Sequence, residues 1–130
     1  MEVENMETVL NCAHRQGDTI RLSMKKDGNI ALMAEANGIT RTIFVNPKVL
    51  LGILSANLVK DTPSDKIKCL QDKHTYHMRI RQQRDNTKSV RIEVYGRDDY
   101  AIVILSKEDT DKAIRFACNV IGLQQELAVK

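Results

Sequence analysis

The chain is poor in the features that mark secreted and membrane proteins. It has three cysteines, an odd number at wide spacing, which argues against a disulfide framework and favours reduced thiols. No apolar run approaches the roughly 20 residues that cross a bilayer. The opening stretch, MEVENMETVL, is acidic where a signal peptide would be basic. We therefore expect an intracellular protein, in the cytoplasm or in the nucleoid or nucleus, with no membrane partner.

The chain also lacks the motifs of common enzymes and metal sites. Its six glycines are scattered singly, so there is no glycine-rich loop to hold phosphates. A nucleophile needs a base and an orienting partner within reach, and the sequence nominates neither for Cys118. Cys69, His74 and His77 are possible zinc ligands, but their spacing matches no standard site. We expect no catalytic residue, no metal and no cofactor.

One stretch, His74–Gly96, has the alternation of a two-sided β-hairpin. Apolar and polar residues alternate along both halves, and the polar turn between them, 84–88, favours antiparallel pairing. The window 73–91 has six basic residues and one acidic residue, whereas the whole chain has a net charge of +3. We expect the apolar side of the hairpin to pack against the helix that follows it. The cations would then share the opposite, open side.

The remaining elements divide into two equivalent halves. Strands are predicted at 7–14, 19–25, 30–36 and 39–45, followed by a helix over 49–59 that is capped by Asn46. After a linker at 61–65, strands are predicted at 66–71, 75–83, 89–95 and 100–105, then a helix capped by Ser106 that Gly122 could end early. The predicted fold class is α+β. We expect one compact domain, 1–130, of two tandem ββββα repeats, 7–60 and 66–128, with antiparallel sheets each covered on one face by a helix.

This order of elements, ββββα–linker–ββββα, resembles that of a superfamily of single-stranded nucleic-acid-binding proteins. The superfamily includes the Whirly proteins, the Pur-alpha repeats and the transcriptional coactivator known as positive cofactor 4. The resemblance covers nearly the whole chain and is one of topology. It implies binding of unwound DNA or RNA through the strands and their hairpins, in transcription regulation or replication. It also implies a homo-oligomer, either a dimer or a larger assembly.

The residue chemistry points to the same kind of ligand. Arginine and lysine along a sheet can follow phosphates, and aromatic rings can stack on bases. Aromatic residues are only 4% of the chain and tryptophan is absent, so few rings are available for stacking. The predicted nucleic-acid-binding residues are Arg21, Lys25, Lys26, His77, Arg79, Arg81, Arg84, Lys88, Arg91 and Tyr95.

Two other interpretations of the basic surface remain open. The cations could simply form a solvated sheet face. Alternatively, the chain could be a protein–protein interaction or oligomerisation module, in which the open sheets, or an exposed edge strand such as 66–71, pair with another chain.

Overall fold

The computed structural model describes residues 6–71, 76–83 and 88–129, the side chains of 127–129 excepted. The described chain forms two four-stranded antiparallel sheets, with strand orders β1-β2-β3-β4 and β5-β6-β7-β8, and two helices. The first half comprises β1 (Glu7–Asn11), β2 (Thr19–Met24), β3 (Ile30–Ala36), β4 (Ile39–Val45) and α1 (Pro47–Val59). The second half comprises β5 (Ile67–Lys68), β6 (His77–Gln82), β7 (Val90–Tyr95), β8 (Tyr100–Leu105) and α2 (Lys107–Val129). The predicted fold class is confirmed.

Tight turns set the register of the first sheet. Asn37 and Gly38 both have positive φ, 56° and 79°, as the two central residues of the favoured hairpin turn require. Ala36 therefore pairs directly with Ile39, and β3 and β4 have their predicted bounds. Gly28 has a φ of 85° in the turn between β2 and β3, where a side chain would be strained.

Both helices begin at the predicted caps. The side-chain oxygen of Asn46 accepts a hydrogen bond from the backbone N–H of Lys48, and the hydroxyl of Ser106 accepts one from Asp109. The expectation that Gly122 could end the second helix is wrong, because α2 continues to Val129. A mid-helix glycine costs only about 1 kcal/mol relative to alanine, and beyond it Gln124 donates a hydrogen bond to the carbonyl oxygen of Gly28. No helix among the described residues is long and apolar enough to span a membrane.

The two repeats exchange their helices. Helix α1 packs on β6 and β7 of the second sheet, whereas α2 packs on β1 and β2 of the first sheet and on β8, and the two helices also pack together. The apolar side of the second hairpin therefore lies against the preceding helix, which corrects the expectation that it would meet the helix that follows. The sheets also approach each other, with β3 next to β8. The buried residues of both halves form one core.

The sheets are also joined at two equivalent junctions. Beyond β1, Ala13 donates its backbone N–H to the carbonyl oxygen of Ile104 at 2.7 Å, and the sulfur of Cys12 accepts the N–H of Ile104. Beyond β5, Leu70 donates to the carbonyl oxygen of Phe44 at 2.9 Å, and Cys69 accepts from Phe44. This explains why β1 ends earlier than predicted and why β5 has only two residues. At each place the chain leaves its own sheet and bonds to the other one.

The linker is tied to β6 rather than extending freely. Asn57, which is fully buried near the end of α1, exchanges hydrogen bonds with the backbone of Thr62. Ser64 then donates its backbone N–H to the carbonyl oxygen of Ile80 and accepts the N–H of Ile80 through its hydroxyl. The free edge of β6 beyond β5 is thereby covered.

Candidate nucleic-acid interface

The outer face of the second sheet has a row of three rings that crosses three strands. His77 on β6 is paired in register with Tyr95 on β7, which is paired with Tyr100 on β8. The rings of His77 and Tyr95 are stacked, with centroids 4.7 Å apart and planes within 10°. The rings of Tyr95 and Tyr100 are 5.7 Å apart and tilted by 43°. We call these three residues the aromatic row.

The three rings lie on the same face because the strand register pairs their residues directly. Residues that are paired directly across antiparallel strands have their side chains on the same face. The alternate residues on β6 and β7, which include Met78 and Val94, are fully buried against α1 and the opposite sheet. The rings are therefore held on the outer side, where Tyr100 is 54% exposed. A planar ligand can reach this end of the row without any rearrangement of the backbone.

The rings of His77 and Tyr95 are predominantly uncharged near neutral pH. Burial, followed by the charges of Lys66 and Arg79, lowers the pKa of His77 below its ordinary value. Burial also raises the pKa of Tyr95, whose hydroxyl donates a hydrogen bond to Glu93 at 2.7 Å. His77 thus contributes to the surface mainly as a ring, and the charge comes from its neighbours.

Cations surround the aromatic row, and they differ in how strongly they are paired. Arg79, next to His77 on β6, is exposed and has no ion-pair partner among the described residues, and the same holds for Lys66 and Lys68. In contrast, Arg81 pairs with Asp61 at 3.4 Å, and Arg91 pairs with Glu93 on its own strand. Arg79, Lys66 and Lys68 are consequently the cations most available to an anionic ligand.

The corresponding face of the first sheet is different, although the two sheets share topology and register. The row equivalent to Lys68–His77–Tyr95–Tyr100 is Asn11–Thr19–Glu35–Thr40, which contains no ring and one acid. The fold itself therefore does not require aromatic residues at these positions. A structural role alone does not account for their presence on one sheet only.

Two of the predicted site residues of the first half are already in contact with other side chains. Arg21, the counterpart of Arg79, forms an ion pair with Glu7 at 3.3 Å. The amine of Lys25 lies 3.8 Å from the centroid of the Phe44 ring, in a cation–π contact that covers that ring. Lys26 is exposed in the β2–β3 turn. The structure thus divides the predicted site. Arg21, Lys25 and Lys26 belong to the first half, and the described residues of the second half are His77, Arg79, Arg81, Lys88, Arg91 and Tyr95.

The loop between β6 and β7 is only partly described. Lys88 is exposed and has a positive φ of 59° just before β7. The predicted site residue Arg84 and the possible zinc ligand His74 lie outside the described residues. Within the ranges that are described, no group of three or more His, Cys, Asp or Glu residues is arranged to hold a metal ion.

Sequence reasoning missed Tyr100, Lys66 and Lys68. Tyr100 begins a nearly continuous apolar strand, in which alternation gives no indication of the face. The four-residue turn 96–99 could have indicated the face of Tyr100. A hairpin with this turn pairs residue 100 with residue 95, so both side chains lie on the same face. Lys66 and Lys68 lie at a strand whose weak pattern did not indicate which side faces outward.

Comparisons with known proteins add no family to this description. No family model matches the chain, no curated protein matches its sequence, and no solved structure matches its fold.

Proposed function

We propose that this protein is a non-catalytic, intracellular binding protein for single-stranded DNA or RNA, and that it binds the strand on the outer face of the second sheet. The observation that supports this most is the asymmetry between two otherwise equivalent sheets. One sheet has a row of rings flanked by cations that form no ion pair within the described part of the chain, and the other has polar and acidic residues in the same places as the rings. Transcription regulation or replication is the corresponding cellular role.

The chemistry of the aromatic row suits unpaired bases. Every base has a π-face, so stacking on a ring contributes about 1–3 kcal/mol per base with little dependence on sequence. In a duplex those faces are already stacked on neighbouring base pairs, so a row of surface rings favours single strands. The centroids of successive rings are 4.7 and 5.7 Å apart, so the three rings form one continuous surface across the sheet.

Arg79, Lys66 and Lys68 provide the complementary charge for phosphates. Contacts between such side chains and phosphates release counterions, so binding should weaken steeply as salt is added. The guanidinium of Arg79 is close enough to influence the pKa values of both His77 and Tyr95. A strand whose bases stack on the aromatic row would therefore have its phosphates near this cation.

Two arginines at equivalent positions provide a matched test. Arg79→Ala and Arg21→Ala each remove one exposed cation from the same position of β6 and β2, so their effects on net charge are equal. Arg79→Ala should weaken binding of a labelled twelve-nucleotide oligothymidylate and reduce the magnitude of its salt slope by about 0.7. Arg21→Ala should leave the affinity and the salt slope nearly unchanged. Fluorescence anisotropy over a salt series measures both quantities.

The same titration includes an oligouridylate and a duplex of equal length. We expect both single strands to bind more tightly than the duplex. Equal losses in the two arginine variants would show that binding does not select the second sheet. Preference for the duplex, or no binding of either single strand at low salt, would refute the proposed function.

The alternative of a protein-interaction module has less support. Within the 66–71 region only Ile67–Lys68 forms a strand, and Leu70 bonds to β4 instead of extending it. The linker before this region pairs with β6. The expected homo-oligomer remains a prediction. The apolar side chains of Val49 and Val59 are exposed on α1 and are available for such an assembly. The corresponding positions of α2 have polar residues, Asp109 and Asn119.

A further inference from the structure

A cleft of about 490 Å³ opens directly beside the end of the aromatic row. Its wall combines the outer residues of β8 with the loop after β1 and the turn between β3 and β4. The apolar part of the wall is formed by Ala36, Ile39, Ile102 and Ile104 together with the ring of Tyr100. This size lies within the range of small-molecule pockets, which span about 300–1,000 Å³.

Tyr100 connects the cleft to the proposed interface. Its ring contacts Tyr95 on one side and lines the cleft on the other. A strand that stacks along the aromatic row and continues past Tyr100 would therefore bring its next base to the mouth of the cleft. This step rests on the proposed function, since it assumes that the strand lies on the second sheet.

The polar groups at the rim favour a base rather than a phosphate. Asp98 is exposed and its carboxylate has no partner among the described residues. Asp18 and Asp99 also line the cleft, but Asp18 is paired with Arg15 and Asp99 with Arg41. Carboxylates repel phosphate, whereas they accept hydrogen bonds from the N–H groups of bases. Arg15 also lines the cleft. It is held by an ion pair with Asp18 at 3.8 Å and by the side-chain oxygen of Asn37, which accepts a hydrogen bond from it at 3.0 Å.

One base presents groups that complement both a carboxylate and a guanidinium. Guanine has two adjacent donors, N1–H and the N2 amino group, for a carboxylate, and two acceptors, O6 and N7, for an arginine. Thymine has no amino group to offer to Asp98. We propose that the cleft beside Tyr100 holds one base of the bound strand and that Asp98 and Arg15 select guanine there.

The equivalent position in the first half has a different lining, with Arg41, Phe44 and Tyr76 and, among its described residues, no carboxylate. A smaller cleft of about 370 Å³ lies beside Phe44, where Lys25 covers the ring. The residue that corresponds to Tyr100 is Thr40, and the one that corresponds to Asp98 is Gly38. The base pocket is therefore assigned to the larger cleft alone.

The test compares a labelled twelve-nucleotide oligothymidylate with the same strand containing one central guanine, which can slide into the cleft. The guanine-containing strand should bind about tenfold more tightly. Replacing this guanine by hypoxanthine, which lacks the N2 amino group, should remove most of the gain. Asp98→Asn should abolish the preference while changing the affinity for oligothymidylate by less than about twofold. Glu126→Gln makes an equal change of charge at an exposed site on α2 and should retain the preference for guanine.

The outcomes separate this proposal from the one on which it rests. If oligothymidylate binds but guanine brings no gain, or the gain survives in the Asp98→Asn variant, the base pocket is refuted and the proposed function stands. If neither strand binds, both proposals fail.

Discussion

Tyr100 is the ring of the proposed interface that can be removed at the least cost to the fold. It lies on β8 and is 54% exposed, and its ring contacts the ring of Tyr95. A cross-strand aromatic pair of this kind contributes up to about 1 kcal/mol to stability. Tyr100→Ala should therefore lower the free energy of unfolding by no more than about 1 kcal/mol and leave a folded protein.

The effect of Tyr100→Ala on binding should be larger than its effect on folding. Loss of one base–ring stack costs about 1–3 kcal/mol, which corresponds to roughly 5- to 150-fold weaker binding of oligothymidylate. Tyr100→Phe keeps the ring and should bind within about twofold of the unmodified protein. Thr40→Ala changes the equivalent position of the first sheet and should have no effect.

Intrinsic fluorescence gives a direct assay of this contact. The chain has three tyrosines and no tryptophan, so its fluorescence above 300 nm comes from tyrosine alone. Stacking of bases on Tyr95 and Tyr100 should quench this signal, and Tyr100→Ala should reduce the amplitude of quenching. Anisotropy supplies the affinity, and urea unfolding supplies the stability. Unchanged affinity in a folded Tyr100→Ala protein would refute the stacking argument.

Three further predictions follow from the structure. Nearby phosphates should raise the lowered pKa of His77, so affinity should increase as the pH falls from about 7.5 to about 5.5; a His77→Phe variant with the full increase would contradict this. Gly28→Ala, whose new Cβ would overlap Gln124, should cost about 1 kcal/mol more than Gly38→Ala in urea unfolding, and equal costs would contradict the contact. Sedimentation equilibrium should show a dimer or larger assembly, and a monomer at every concentration would contradict the expected homo-oligomer.

Local signals in the sequence determined most of the elements. Asn37-Gly38 fixed the β3–β4 hairpin, and the capping residues Asn46 and Ser106 fixed the starts of both helices. The exchange of helices could not be predicted in the same way. Helical periodicity shows that one side of α1 is apolar, but both sheets offer an apolar face of similar size, and periodicity does not choose between them.

The sequence predicted only the part of the candidate site that depends on alternation within one strand. Alternation along β6 placed His77, Arg79 and Arg81 on one face, and the structure confirms that shared face. The aromatic row depends on register across three strands, which alternation within one strand does not give. Ion pairs that engage Arg21 and Arg81 also depend on residues distant in sequence, so the sequence could not separate paired cations from unpaired ones.

The most direct test of the central claim is to locate the bound strand on the protein. An oligonucleotide containing photoreactive 4-thiothymidine would be crosslinked to the unmodified protein, and the attached peptides identified by mass spectrometry. We expect crosslinks at Tyr95, Tyr100 or His77, on the outer face of the second sheet. Crosslinks confined to β2, β3 and β4 would contradict the account, because they would place the strand on the opposite sheet.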